Sequence, residues 1–233
     1  MAKSYKNITE QLEDLGYLIL EDIYSVEELK ELIKLLESKT LKEQFGVREF
    51  LLDNIDVASK VFSNKLKEII RQLSSKDAIS IKSIYFDKPP SANWIVNWHQ
   101  DLTINLTGRK EVKNYKNWRV KPERTVVQPN RELLENIFTI RIHLDDCTNQ
   151  NGALRVIEKS HSRGVIEIKE WIKQQEGEEK ICEVAAGGIL IMKPLILHSS
   201  KRTENDNSRR VIHIEFTDME LPAGLEWKEK LEI

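Results

Sequence analysis

The sequence predicts an α+β protein, a double-sheet jelly roll with N-terminal helices packed outside the sheets. Three observations carry this. Apolar residues recur at helical spacing up to about residue 75. From Ala78 onward the texture changes to about eight short apolar runs separated by turn residues. No repeat, low-complexity tract or linker divides the 233 residues. Helices followed by many short strands favour a closed or sandwiched sheet that can enclose one small site. A single domain over residues 1–233 is expected, with a helical part at about 5–75, a core at about 78–218 and a lid loop at about 102–136.

Taken in order, residues 5–15 place Ile8, Leu12 and Leu15 on one stripe, and Gly16 supplies a stop. Tyr17 to Leu20 reads as a short strand. Ser25 followed three residues later by Glu28 is a capping box that opens a helix to about Ser38. A further helix over residues 56–73 would bury Val57, Val61, Leu66, Ile69, Ile70 and Leu73. The predicted strands are residues 79–86, 94–98, 137–144, 153–157, 181–184, 189–192, 195–198 and 210–216. Gly187 and Gly188 form a tight turn before the run that leads to His198.

Leu102 to Asn136 lacks a clear period, which inside a compact domain points to a lid or a mobile segment. Within it Arg109, Lys110, Lys113, Lys116, Arg119, Lys121 and Arg124 outnumber Glu111 and Glu123. That excess is either a solvated loop or a cationic rim that steers an anionic substrate.

Composition narrows the function. A formal net charge of −2 with 32% charged residues gives no basic excess for nucleic acid. No apolar stretch approaches a membrane span, and the polar N-terminus has no signal core. Cys147 and Cys182 are far apart and form no Cys-x-x-Cys pair, which fits free thiols in a reducing cytoplasm.

The chemistry centres on Trp98-His99-Gln100-Asp101. On an extended chain His99 and Asp101 share one face while Gln100 points oppositely. An imidazole and a carboxylate then face one cation, and His198, where an apolar run ends, is the third ligand candidate. Two histidines and one carboxylate are the facial ligand set of non-haem Fe(II) oxygenases. Arg209, eleven residues after His198, opens the strand that runs to Phe216. A hairpin joining residues 189–197 to 209–216 would bring its planar fork, suited to a carboxylate, near the metal. His143 and His213 read as structural, Asp145 and Asp146 as turn formers, and Trp171 and Trp227 as packing.

These landmarks, continued by Trp118, Val127-Gln128-Pro129, the Arg141 to Asp146 run, Asn151 to Leu154, Ser160-His161 and Arg209-Arg210, resemble the phytanoyl-CoA dioxygenase family over about residues 10–220. One departure is visible, Glu158-Lys159-Ser160-His161 where the family usually has Pro-Gly-Ser-His.

The resemblance implies a cupin-like double-stranded β-helix and an enzyme that uses Fe(II), 2-oxoglutarate and O2. His99, Asp101 and His198 would be iron ligands and Arg209 the anchor for the far carboxylate of 2-oxoglutarate. Gln100 and Trp118 would line the cosubstrate pocket. Apart from the resemblance, Arg141 on its alternating strand would line the pocket and contact substrate, by analogy with enclosed barrel sites, and His161 would either touch substrate or hold a loop. The implied reaction hydroxylates an unactivated C–H of a small molecule and releases succinate and CO2; that this molecule is polar or anionic is read from the basic residues of the lid and not from the resemblance. An aspartate at 101 argues for hydroxylation, because halogenating relatives lack that carboxylate. A zinc hydrolase or isomerase on the same ligands and a non-catalytic 2-oxoglutarate sensor are the rival classes.

Overall fold

The computed structural model describes residues 7–39, 46–88, 94–174, 176–204 and 209–233. Residues 5 and 6 of the first expected helix lie outside them. In chain order the elements are α1 (Ile8–Leu15), β1 (Tyr17–Leu20), α2 (Val26–Glu37), β2 (Gly46–Arg48), α3 (Phe50–Asp53), α4 (Ile55–Val61), α5 (Asn64–Leu73) and β3 (Ile79–Lys88). Then come β4 (Val96–His99), β5 (Ile104–Leu106), β6 (Lys116–Val120), β7 (Thr125–Gln128), α6 (Arg131–Asn136), β8 (Phe138–His143), β9 (Leu154–Ile157) and α7 (Ile168–Gln174). The chain closes with β10 (Glu179–Cys182), β11 (Ile189–Met192), β12 (His198–Ser200), β13 (Arg209–Thr217) and β14 (Leu231–Glu232).

The major sheet has the order β1-β11-β8-β13-β3-β14 with β2 also on β3, and the minor sheet the order β10-β9-β12-β4. All their pairings are antiparallel among the described residues. This is the expected jelly roll with helices outside. The major sheet is buried on both faces. One face sends Ile140, Ile142, Ile189, Ile191, Ile212, Ile214 and Phe216 into a cluster with Ile8, Leu12, Leu32, Leu36, Leu66 and Ile69 of the helices. The other face meets the minor sheet, where Leu190 and Met192 pack on Leu154, Val156, Cys182 and Ile196. Sheets covered on both sides read as continuous apolar runs, which is how residues 189–192 and 138–143 appear in the chain.

Local signals set the boundaries as expected at α1 and α2. Gly16 ends α1 in the left-handed region at φ 83°. Ser25 accepts from the Glu28 amide while the Glu28 carboxylate accepts from the Ser25 amide, 2.8 Å.

Three expectations need correction. The helix over residues 56–73 is two helices, because Ser63 caps α5 by accepting from the Leu66 amide and breaks the run at Phe62. The stretch 102–136 is not structureless but folds as a third sheet, β5-β7-β6, followed by α6. Its apolar residues Ile104, Leu106, Tyr115, Val127 and Leu133 pack with Leu225, and Trp227 lies against the same cluster. That burial needs partners about a hundred residues away, so no local period reveals it. Finally, β11 and β13 form no hairpin: β8 lies between them, and His198 sits in the other sheet.

Glu229, 2% exposed, accepts from the Ser83 amide at 2.8 Å and from the Ser83 hydroxyl, tying the C-terminal segment to β3. Burial pushes its carboxyl up to about 7, against the Ser83 hydrogen bonds that lower it. The folded state therefore holds a proton that the unfolded chain releases near 4.5. Protein stability contributed by this group is full below that pH and is lost as pH rises through about 7. Glu229→Gln should flatten the fall in stability over that window, a slope on the order of 2–3 kcal/mol in wild type, as read by urea unfolding at pH 4.5 to 7.5.

Candidate metal and cosubstrate site

The site forms where the minor sheet faces the inner surface of β3, β8 and β13. His99 is the last residue of β4 and His198 the first of β12, and the two are register partners. Their ring centroids lie 4.0 Å apart. Asp101 follows after Gln100, its amide donating to the Pro194 carbonyl at 2.9 Å. Its carboxylate reaches His198 Nε2 at 3.6 Å and His99 Nε2 at 3.9 Å. One ligand atom from each residue lies within 4.8 Å of the others.

Both rings are oriented for coordination. His99 Nδ1 donates to the Asn97 carbonyl at 2.8 Å and His198 Nδ1 to the Ile196 carbonyl at 2.9 Å. These bonds place the ring proton on Nδ1 and leave each Nε2 lone pair directed at the common point. Burial pushes the Asp101 carboxyl up, but His198, His213, Lys82 and His99 together hold it below the ordinary carboxylate range. Burial also moves His198 down to about 4 despite the pull of Asp101. Near neutral pH the aspartate is ionised and His198 neutral, the forms that ligate a divalent cation.

Arg209, 6% exposed, lines the same cavity of about 290 Å³. Its Nε and Nη1 are buried with no hydrogen-bond partner among the described residues. A guanidinium in that state costs several kcal/mol unless an anion meets it. The donor set therefore fits both groups the sequence implied: a divalent metal on two imidazoles and a carboxylate, and a carboxylate on a planar fork.

Not every expected residue is there. Arg141 is, on β8, its Nη1 against His213 Nδ1 at 3.0 Å. Gln100 is not on the cavity wall: its Nε2 donates to the Gly164 and Leu195 carbonyls and its Oε1 accepts from the Ile166 amide at 2.8 Å. Pointing away from His99 and Asp101, it ties loops beneath them. Trp118 stacks on Tyr115 in the third-sheet cluster and is absent from the cavity wall. His161 bonds the Glu13 carbonyl at 3.0 Å and faces a separate cavity with Lys193. These three roles do not follow from the geometry.

Lys82, His213 and Glu215 were missed or read as structural. Lys82 Nζ meets both Glu215 oxygens at 2.6 and 2.7 Å and the Thr103 carbonyl at 3.0 Å. Glu215 also faces His213 Nε2 at 3.3 Å. Asp101, His213 and Glu215 lie close enough for a second metal cluster. The Lys82 ammonium already balances Glu215 there, so the trio reads as an ion-pair network. The missed signal is period two: Lys82 and Lys88 fall on one face of β3, and Arg209, His213 and Glu215 on one face of β13.

A jelly roll with two histidines and an aspartate on adjoining strand ends and a buried arginine beside them defines a non-haem metal oxygenase site. The phytanoyl-CoA dioxygenase model matches residues 12–211, and the chain belongs to that family. It is an Fe(II)- and 2-oxoglutarate-dependent enzyme that uses O2. Among solved structures it is similar to AviO1 from Streptomyces viridochromogenes Tue57, at 16% identity over 92% of this chain and 95% of that one, TM-score 0.65. The carbocyclase SnoK from nogalamycin biosynthesis has 15% identity over 91% and 83%, TM-score 0.65. HygX from Streptomyces hygroscopicus, solved with nickel and 2-oxoglutarate bound, has 10% over 89% and 85%, TM-score 0.64. No curated protein matches the chain. Among the described residues no helix is long and apolar enough to cross a membrane.

Removing Lys82 strands the Glu215 carboxylate. Lys82→Met should destabilise the protein by about 3–5 kcal/mol, and Lys82→Met with Glu215→Leu should recover most of that in chemical denaturation.

Proposed function

We propose that the protein hydroxylates an unactivated C–H of a small polar or anionic molecule, with His99, Asp101 and His198 holding Fe(II) and Arg209 holding the distal carboxylate of 2-oxoglutarate. One observation carries the reading: three ligand atoms within 4.8 Å of one another share a cavity with a buried guanidinium whose Nε and Nη1 lack partners among the described residues. The metal, when bound, supplies O2 activation coupled to oxidative decarboxylation of the oxo acid, with succinate and CO2 as coproducts. Everything else falls to the chain. His99 and His198 keep their Nδ1 protons on backbone carbonyls, which fixes ring tilt. Asp101 completes the ligand face and brings negative charge. Arg209 fixes the direction in which the cosubstrate lies. The two sheets exclude water on either side.

The anionic substrate is supported at the cavity mouth. Arg48 of β2 lines the wall, is solvent-exposed and makes no ion pair among the described residues. Burial of part of the side chain and then the nearby Arg124 both lower its pKa, while Glu215 and Asp101 act oppositely. This extends the cationic rim read from residues 109–124. The free buried thiols Cys147 and Cys182 support a cytoplasmic setting.

Other outcomes occur on this fold, since SnoK is a carbocyclase and SnoN, also from nogalamycin biosynthesis, an epimerase. Product analysis separates them: hydroxylation adds one oxygen, whereas epimerisation leaves the mass unchanged and cyclisation removes two hydrogens. A zinc hydrolase or a sensor on the same ligands would release no succinate. With Fe(II), ascorbate and 2-oxoglutarate the wild type should consume O2 and form succinate. His99→Ala and Asp101→Ala should lose both by at least about a hundredfold, and Arg209→Ala should chiefly raise the KM for 2-oxoglutarate. Full turnover by Asp101→Ala would sink the ligand assignment.

A further inference from the structure

The inner face of the major sheet is a lattice of register rows. Arg209 lies opposite Lys88, Val211 between Phe86 and His143, His213 between Ile84 and Arg141, and Glu215 between Lys82 and Thr139. The row of His213 is the metal end, because an Asp101 oxygen lies within 4.8 Å of ring and carboxylate atoms of His213 and Glu215. Arg209 is four residues up the strand, roughly 13 Å along the backbone. Any molecule that spans metal and Arg209 therefore runs beside β13.

Arg141 occupies the floor of that path. It is 9% exposed, and its guanidinium lies 5.6 Å over the Phe86 ring, in the row between Arg209 and His213. Nη1 meets His213 Nδ1, which fixes the fork toward the metal end. Nε is buried without a partner among the described residues. Among the described residues no carboxylate pairs with it: Glu215 is engaged by Lys82 and His213, and Asp101, whose charge acts on it only at a distance, faces the two histidines. Two buried guanidiniums, Arg141 and Arg209, thus share one small cavity and repel each other. Burial and then Arg209 lower the Arg141 pKa to about 10, which still leaves it charged near neutrality.

We propose that Arg141 is a second anion-binding arm that grips the keto-acid end of 2-oxoglutarate beside the metal, while Arg209 takes the distal carboxylate. The inference rests on the cosubstrate reading above, and it moves Arg141 from the substrate, where strand alternation and analogy with enclosed barrel sites put it, to the cosubstrate. A dianion with a carboxylate at each end matches two cations spaced along the direction of β13, Arg209 on that strand and Arg141 on the adjoining β8. The pair also sets specificity: the cavity favours 2-oxo dicarboxylates over monocarboxylates, and Arg141 adds affinity for the end that both share.

The test is anaerobic calorimetry on the Mn(II)-loaded protein with two probes, 2-oxoglutarate and 2-oxobutyrate, which lacks the distal carboxylate. Arg209→Gln should weaken 2-oxoglutarate by roughly ten- to a hundredfold and leave 2-oxobutyrate within about twofold. Arg141→Gln should weaken both probes by a similar factor of about tenfold or more, and Arg141→Lys, which keeps charge but loses the fork, should fall between. Mn(II) affinity should stay near wild type in each variant, and the melting temperature without oxo acid should not fall.

Three results would overturn the proposal. The first is Arg141→Gln leaving both probes unchanged; the second is Arg141→Gln weakening only 2-oxoglutarate, which would place Arg141 at the distal end. The third is loss of Mn(II) by Arg141→Gln, which would make Arg141 a support for His213 and Asp101. Failure of the wild type to bind 2-oxoglutarate would instead refute the cosubstrate reading.

Discussion

The site depends on one strand register. His198 is paired with His99 across β12 and β4, and a slip of one residue would turn Ser199 inward and bury His198 against the opposite side. That register is held from both flanks. β9 pairs His198 with Val156, and the Gln100 amide clamps the loops at Gly164, Ile166 and Leu195 beneath the triad. Residues that never touch the cavity thus decide where the ligand atoms meet.

The second constraint is electrostatic. The inner face of the major sheet buries Lys82, Lys88, Arg141, Arg209 and Glu215, a charge load that an apolar sandwich tolerates only with partners. Part of it is met internally. Lys82 and Glu215 pair, and Lys88 donates to the Trp94 and Lys201 carbonyls at 2.8 and 3.0 Å. The guanidiniums of Arg141 and Arg209 have no such partner carboxylate among the described residues, which concentrates positive charge next to His99, Asp101 and His198. Partial neutralisation is what makes the interior a binding site and not merely a polar core.

The third sheet and the helices serve this arrangement at a distance. The helices cover the outer face of β8, β11 and β13 with one apolar cluster, so those strands are rigid on the side away from the site. β5 and β7 continue directly from the Asp101 segment and anchor it: Ile104, Leu106 and Val127 are buried with Leu225, and the Thr103 carbonyl accepts from Lys82. The stretch that looked like a lid is a brace, with Lys and Arg displayed on its outer side. Site placement on strand ends backed by packed layers is the arrangement that keeps ligand positions within tenths of an ångström.

Read alone, the chain settled the fold class and put His99 and Asp101 on one face, because both are written locally. Helical and two-residue periods, the Ser25 capping box and Gly16 mark elements through interactions a few residues long, and His99 and Asp101 share a face by strand geometry alone. His198 and Arg209 were reached by spacing and family resemblance, and the cavity unites them, though through separate sheets and not the hairpin that spacing implied.

What only the tertiary structure decided is everything that rests on partners distant in sequence. The third sheet is stabilised by Leu225 and Trp227 from the far end of the chain, Gln100 is turned away by Gly164, Ile166 and Leu195, and Lys82 finds Glu215 across β3 and β13. Period two announced charges on those strands, but a strand pattern does not say which face closes over a cavity. That is set by which sheet packs on which, a long-range free-energy balance that no local window contains.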